Sequence, residues 1–277
     1  MGDSTIGMLE NGLAAWNDKL SEVFKLLSTS PDEFRDGAIW KTMTSVFDGI
    51  IGVGLALVLL CWCIGVIKNV ASLYELKRPE IAVRMLVRLV FTQYIVTHSL
   101  DLLIKFSQLA TGLIKEIMTA SGLDPEVALE LPSEIETAVS GLGVISGLGA
   151  WATAFLCMIL VTGLSLLILL TVYGRFFRIF IMTALAPIPL AGFAGEPTSG
   201  MGKSFLRSYI AVLLEGSIIL LAAVIFTAFA TTAPVFDDTV SAQTMIFTYM
   251  GQVILQMLIF VIIVKSADRV AREISGL

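Results

Sequence analysis

Glu215 sits inside the apolar run RSYIAVLLEGSIILLAAVIF, about three helical turns from the last base before it. A carboxylate at such depth is costly, so it marks either a coupling site or a polar clamp between helices. Its depth suggests partners. Gln252 and Gln256 share one helix face, with Thr248 a turn further out, and Gln256 lies nine residues before Lys265. Arg88 lies several residues into another apolar run. The spacing therefore predicts an intramembrane polar cluster of Glu215, Gln252, Gln256 and Arg88, formed within one chain or with the same residues of a neighbouring copy. A clamp fits better than a proton relay, because a relay uses several acids and this run holds one.

The residue patterns of enzymes are missing. The sequence has no glycine-lysine phosphate loop, no HExxH and no nucleophile elbow. GMGKS at 200–204 echoes the end of a phosphate loop, but Glu196 stands near the place of its leading glycine and no strand precedes it, so it reads as a short cytoplasmic turn. Cys61, Cys63 and Cys157 all fall in apolar runs and read as small buried hydrophobes. His98, the sole histidine, has no neighbours at metal-ligand spacing. The expectation is no catalytic residue, no metal and no cofactor.

These residues must be positioned by membrane helices. The 277 residues are 56% hydrophobic and 15% charged, with mean hydropathy +0.89. A soluble domain is about half apolar and about a quarter charged. The net charge of −5 is unevenly spread, with bases in 68–88, 175–178, 203–207 and 265–272. That alternation is a topology signal, and no basic patch interleaved with aromatics points to a nucleic-acid surface. The start, MGDSTIGMLENG, lacks the basic lead-in of a cleavable signal peptide.

The fold class expected is an all-α integral membrane protein with about five transmembrane helices, one re-entrant or broken helix and an N-terminal amphipathic helix. Residues 5–28 place Ile6, Leu9, Leu13, Trp16, Leu20, Val23, Phe24 and Leu27 on one face. This predicts a helix on the membrane surface with Trp16 at headgroup level; the competing reading is a partner-binding helix. Ser30-Pro31-Asp32-Glu33 reads as a new helix start. Spans are expected at about 45–67, 83–105, 146–173, 206–230 and 245–265. The second carries Arg84, Arg88, Gln93, His98, Asp101 and Lys105, and should face protein or water rather than lipid. The domain plan is external amphipathic helices at 1–42, a first transmembrane hairpin at 43–105, an external loop with short helices at 106–145, and a bundle at 146–277 that includes the broken segment and a cytoplasmic tail.

The broken segment is 176–194. It is apolar, yet Arg175 and Arg178 precede it, Lys203 and Arg207 follow it, and Pro187, Pro189 and Gly192 interrupt it. A simple span would put one pair of bases on the wrong side, so the segment is expected to dip in and return, or to lie buried in an assembly. Five spans with the N-terminus outside and the C-terminus cytoplasmic satisfy all the basic loops.

The run Gly174–Ile225 has an Arg-Phe-Phe-Arg-Ile-Phe approach, an Ala-Leu-Ala-Pro-Ile-Pro-Leu-Ala core, a Gly-rich turn and an apolar helix opening Ser-Phe-Leu-Arg-Ser-Tyr. In these motifs it resembles the TrbL family of conjugative transfer proteins, polytopic inner-membrane components of type IV secretion systems. The resemblance implies a multimeric platform in the bacterial cytoplasmic membrane beside secretion ATPases and other transfer subunits. Such a platform helps pass single-stranded DNA and relaxase, and contacts membrane lipid. It implies no catalytic residue. The alternative is a small-solute or ion transporter using the broken helix and Glu215, to which the lack of an internal repeat lends nothing.

Overall fold

The computed structural model describes residues 2–70, 79–122, 129–141, 144–230 and 242–277, and every regular element among them is helical. Among the described residues, four helices are long and apolar enough to cross a membrane: Phe34–Lys68, Gly147–Leu185, Ser199–Ala228 and Thr244–Ile274. They contain four of the five expected spans. The expected span 83–105 is not among them: it falls on two helices, one ending at Thr97 and the next starting at Ser99, and each of these carries at least three charged residues. Asp124-Pro125, whose sequence reads as the start of a second short helix in the external loop, Gly143, which stands four before Gly147, and the bases Lys77 and Arg78 of the 68–88 group lie outside the described residues.

The chain divides into two compact units. The first draws on Met1–Ser28, Ile114–Tyr173 and Gly216–Ala267. Helix α1 (Gly2–Ser28) buries Leu9, Leu13, Trp16, Val23, Phe24 and Leu27, the stripe expected from its periodicity. The stripe does not lie on a membrane surface. Trp16 is 1% exposed, with its ring 6.0 Å from Phe226 and 6.1 Å from Phe260, and those two rings stack at 4.7 Å. The amphipathic face alone could not distinguish lipid from the chain's own helices; an aromatic cluster of this size is better satisfied by other rings. At Gly12 a side chain would meet Met158 Cα at 3.3 Å, so the missing Cβ lets α1 approach closely. Asn17 donates to the Leu129 carbonyl and accepts from the Leu129 amide, both at 3.0 Å. Tyr249 donates to the Glu130 carbonyl at 3.3 Å. These bonds pin the segment leading into α5 (Ser133–Ser140), whose Ile135 and Val139 are buried.

The second unit draws on Thr29–Leu113, Gly174–Glu215 and Asp268–Leu277. The helix start expected at Ser30 is displaced. Ser30 hydrogen-bonds Asp32, and the chain then makes a short turn, Phe34–Gly37, in which Arg35, Asp36 and Gly37 are left-handed (φ 49°, 56° and 71°). Phe34 explains the turn. It is 2% exposed and stacks on Phe176 at 4.5 Å, and anchoring it requires the chain to reverse before α2 (Ala38–Val70) begins.

Helices α3 (Pro79–Thr97) and α4 (Ser99–Ser121) follow, with His98 at the break. Helix α6 runs unbroken from Val144 to Leu185, roughly 63 Å at 1.5 Å per residue. The expected third span and the first half of the expected broken segment are thus one helix. Its ladder stops at Ala186. Pro187 opens the four-residue helix α7 (Pro187–Leu190), a tight turn Ala191–Ala194 follows, and α8 (Ser199–Ala230) leads away. Proline is tolerated at a first helical position because its missing N–H would have no partner there. The last helix is α9 (Ala242–Ile274).

The tip between α6 and α8 packs on one stripe of α2: Gly54, Val58, Cys61 and Gly65. A Cβ on Gly54 would meet Pro187 Cβ at 2.6 Å, and one on Gly65 would meet Gly195 Cα at 3.2 Å. Backbone touches backbone here, as small residues allow. Cys61 and Cys157 are buried as expected, whereas Cys63 faces outward because it is two residues from Cys61 and so on a different face.

Candidate functional site

The second unit holds a ladder of charges built by three helices. Arg175 and Arg178 stand three apart on α6, Glu215 on α8, and Asp268 and Arg272 four apart on α9. Arg178 Nη2 donates to both Glu215 oxygens at 2.6 Å, and its Nη1 donates to Asp268 Oδ1 at 2.6 Å. Arg272 Nε donates to the other Asp268 oxygen at 3.2 Å. Burial falls along the ladder, from 1% side-chain exposure at Glu215 through 35% at Arg178 and 34% at Asp268 to 54% at Arg272.

Arg175 lies at the closed end, 3% exposed. It binds backbone rather than acid: Nε donates to the Val212 carbonyl at 3.1 Å and Nη2 to the Leu213 carbonyl at 3.2 Å. Its guanidinium lies 5.8 Å from the Phe176 ring centre. Arg175, Arg178, Glu215 and Asp268 together sum to zero formal charge, which is what an apolar surrounding demands of buried ions. Nearby, Tyr209 donates to the Leu103 carbonyl at 3.2 Å and meets Thr183 at 3.4 Å, tying α4 and α6 to α8.

Glu215 therefore meets Arg178, a residue the sequence reading assigned to topology. Arg88 is half-buried on α3. Gln252 is exposed and Gln256 half-buried on α9, in the part of that helix belonging to the first unit. Lys203 and Arg207 are exposed. Pro187 is buried, Pro189 half-buried and Gly192 buried, where a Cβ would meet the Thr198 carbonyl oxygen at 2.8 Å. Thr198 Oγ1 donates to the Gly192 carbonyl at 2.8 Å and so closes the turn. Asp268 was missed by sequence reasoning because it sits among the bases of the tail; its spacing of four from Arg272 was the available signal.

The arrangement can brace three helices against one another. Both Glu215 oxygens accept from Arg178, and the Glu215 side chain is 1% exposed, so the pair is enclosed between helices rather than presented to a solute. Among the described residues there is no group of three or more His, Cys, Asp or Glu that could hold a metal ion.

No curated protein and no solved structure matches the chain. A family model does: that of the TrbL/VirB6 plasmid conjugal transfer like protein, over residues 16–187. The matched region takes in the second half of α1, from Trp16, all of α2 to α6, and the proline that opens the tip. It overlaps the Gly174–Ile225 resemblance only up to Pro187. Because it covers well over half of the 277 residues, this multi-pass chain, with its helix-built charge ladder, belongs to the TrbL/VirB6 plasmid conjugal transfer family.

Proposed function

We propose that this protein is a membrane channel or scaffold subunit of a conjugative type IV secretion system, helping pass a DNA–protein substrate across the bacterial cytoplasmic membrane. The family match over residues 16–187 carries this reading. Two features of the chain support it: four helices able to cross a bilayer, and a satisfied ion ladder suited to holding helices together rather than to turning over a substrate. The protein acts as a structural component and not as an enzyme. It forms homo-oligomers and sits beside the secretion ATPases and other transfer subunits, with transient contact to single-stranded DNA and relaxase. Its N-terminus is outside and its C-terminus cytoplasmic. Uptake of a small solute at Glu215 is disfavoured, because its side chain is 1% exposed and ion-paired with Arg178.

Mild crosslinking in native membranes, capture of this protein and mass spectrometry test the proposal. Recovery of a conjugation ATPase or other transfer proteins is expected. Recovery of the protein alone would overturn the assignment and return attention to solute transport.

A further inference from the structure

Helix α3 packs one face on its own unit and leaves the other uncovered. Trp62 Nε1 donates to the Met85 carbonyl at 3.1 Å, and Thr92 and Val96 are fully buried, so this side belongs to the core. The opposite face carries Val83, Leu86, Val87, Val90, Phe91 and Tyr94, exposed by 53% to 66%. The sequence pointed this helix toward protein or water. Instead its arginines collect on one flank, exposed Gln93 lies on the other, and the face between them is apolar from Val83 to Tyr94. An uncovered stripe of this kind on a multi-pass membrane chain has lipid as its natural solvent.

Charge narrows the choice of lipid. Arg84 is exposed and Arg88 half-buried, one turn apart in the first half of the helix and beside the stripe. Among the described residues neither has an ion-pair partner, although Glu80 stands one turn before Arg84. Two uncompensated guanidinium groups next to a long apolar stripe match a ligand with an anionic head and an apolar body. The length fits as well. From Arg84 to Tyr94 the helix rises roughly 15 Å, about half of a ~30 Å hydrocarbon core, which is the depth of one leaflet.

We infer that this face of α3 is a binding site for an anionic phospholipid, with its phosphate on Arg84 and Arg88 and its acyl chains along Val87, Val90, Phe91 and Tyr94. The guanidinium fork suits a phosphate oxygen pair, and the planar rings and branched side chains suit acyl chains. A zwitterionic lipid would cover the stripe but leave the arginines without a net counter-charge. The inference rests on the chain lying in a membrane and not on its passing DNA, so the two can fail separately.

The test uses the full chain in mild detergent with equimolar phosphatidylglycerol and phosphatidylcholine, counting retained lipids by native mass spectrometry. A basic residue near an anionic surface contributes roughly fivefold to partition. The wild type is expected to favour phosphatidylglycerol, and the R84Q/R88Q double variant to lose that preference by roughly tenfold or more. The R84K/R88K variant should keep most of it, because the charges remain. Equal retention of the two lipids by the wild type, or an undiminished preference in R84Q/R88Q, overturns the inference. A photoactivatable phosphatidylglycerol crosslinked to the wild type covers the case in which a variant misfolds. Adducts on residues 83–94 support the site; adducts only on other helices, or crosslinks between two copies through this face, overturn it.

Discussion

Arg178 donates to acids from two other helices, and that sharing sets what each substitution should cost. Glu215→Gln removes the buried partner and leaves Arg175 and Arg178 against Asp268 alone. Breaking a buried pair from one side costs roughly 3 kcal/mol, much of it the penalty of the stranded charge. Arg272→Gln touches the open end, where exposed pairs contribute less than about 1 kcal/mol. Denaturant unfolding in detergent should therefore separate the two variants clearly; equal shifts would mean that the ladder is not graded by burial. Replacing both partners, R178M with E215L, should recover part of the loss, because neither of the two is left stranded while Asp268, 34% exposed, keeps Arg272. Arg175→Lys tests the closed end. A lysine keeps the charge but cannot present two fixed donors to the Val212 and Leu213 carbonyls, so a loss of about 2 kcal/mol is expected despite the conserved charge. A stability matching that of the wild type would show that charge alone matters at this position.

Helix α2 carries glycines on two faces, and only one face is filled. At Gly54 and Gly195 an added Cβ would strike Pro187 and the Cys61 carbonyl, while at Gly49 and Gly52 nothing lies within 4 Å. Gly54→Ala and Gly195→Ala should each destabilise the tip by about 2 kcal/mol, because backbone rather than a flexible side chain must move. Gly49→Ala and Gly52→Ala should instead stabilise by about 0.5–1 kcal/mol through helix propensity. The same thermal melts check both pairs, and a similar sign for all four would refute this packing. None of this could be read from the sequence of α2, where GIIGVGLALVLLCWCIG shows only apolarity and small residues. Apolar runs of sufficient length do announce helices, which is why α2, α6, α8 and α9 were legible. Their partners were not, because an apolar stripe has no intrinsic address: the periodicity of α1 alone does not distinguish lipid from the rings of Phe226 and Phe260. Likewise Arg178 looked like a topology marker, because sequence distance hides that Glu215 and Asp268 reach it from 37 and 90 residues away.

For the whole molecule, the number of crossings decides the sidedness of every loop. Lys68 ends α2, Arg175 and Arg178 approach the end of α6, Lys203 and Arg207 open α8, and Lys265, Arg269 and Arg272 close α9. Bases prefer the cytoplasm. If only the four helices that qualify as spans cross, the chain returns to α6 from the side on which α2 ended. The ends of α2 and α9 then lie on opposite sides, and one of the basic groups is exported. If the α3–α4 segment adds a fifth crossing, Lys68, the bases on either side of the tip and the tail bases all become cytoplasmic together, with the N-terminus outside. Charge thus favours five crossings where helix length and hydropathy favour four, and His98 marks the place where the extra crossing would be broken. Reporter fusions at the N-terminus and at the C-terminus resolve the parity. Five crossings predict an exported reporter at the N-terminus and a cytoplasmic one at Leu277, from one orientation of the chain. Both reporters on the same side would leave α3–α4 outside the count of crossings, and the bases at one end of the bundle would then need partners in the assembly rather than the cytoplasm.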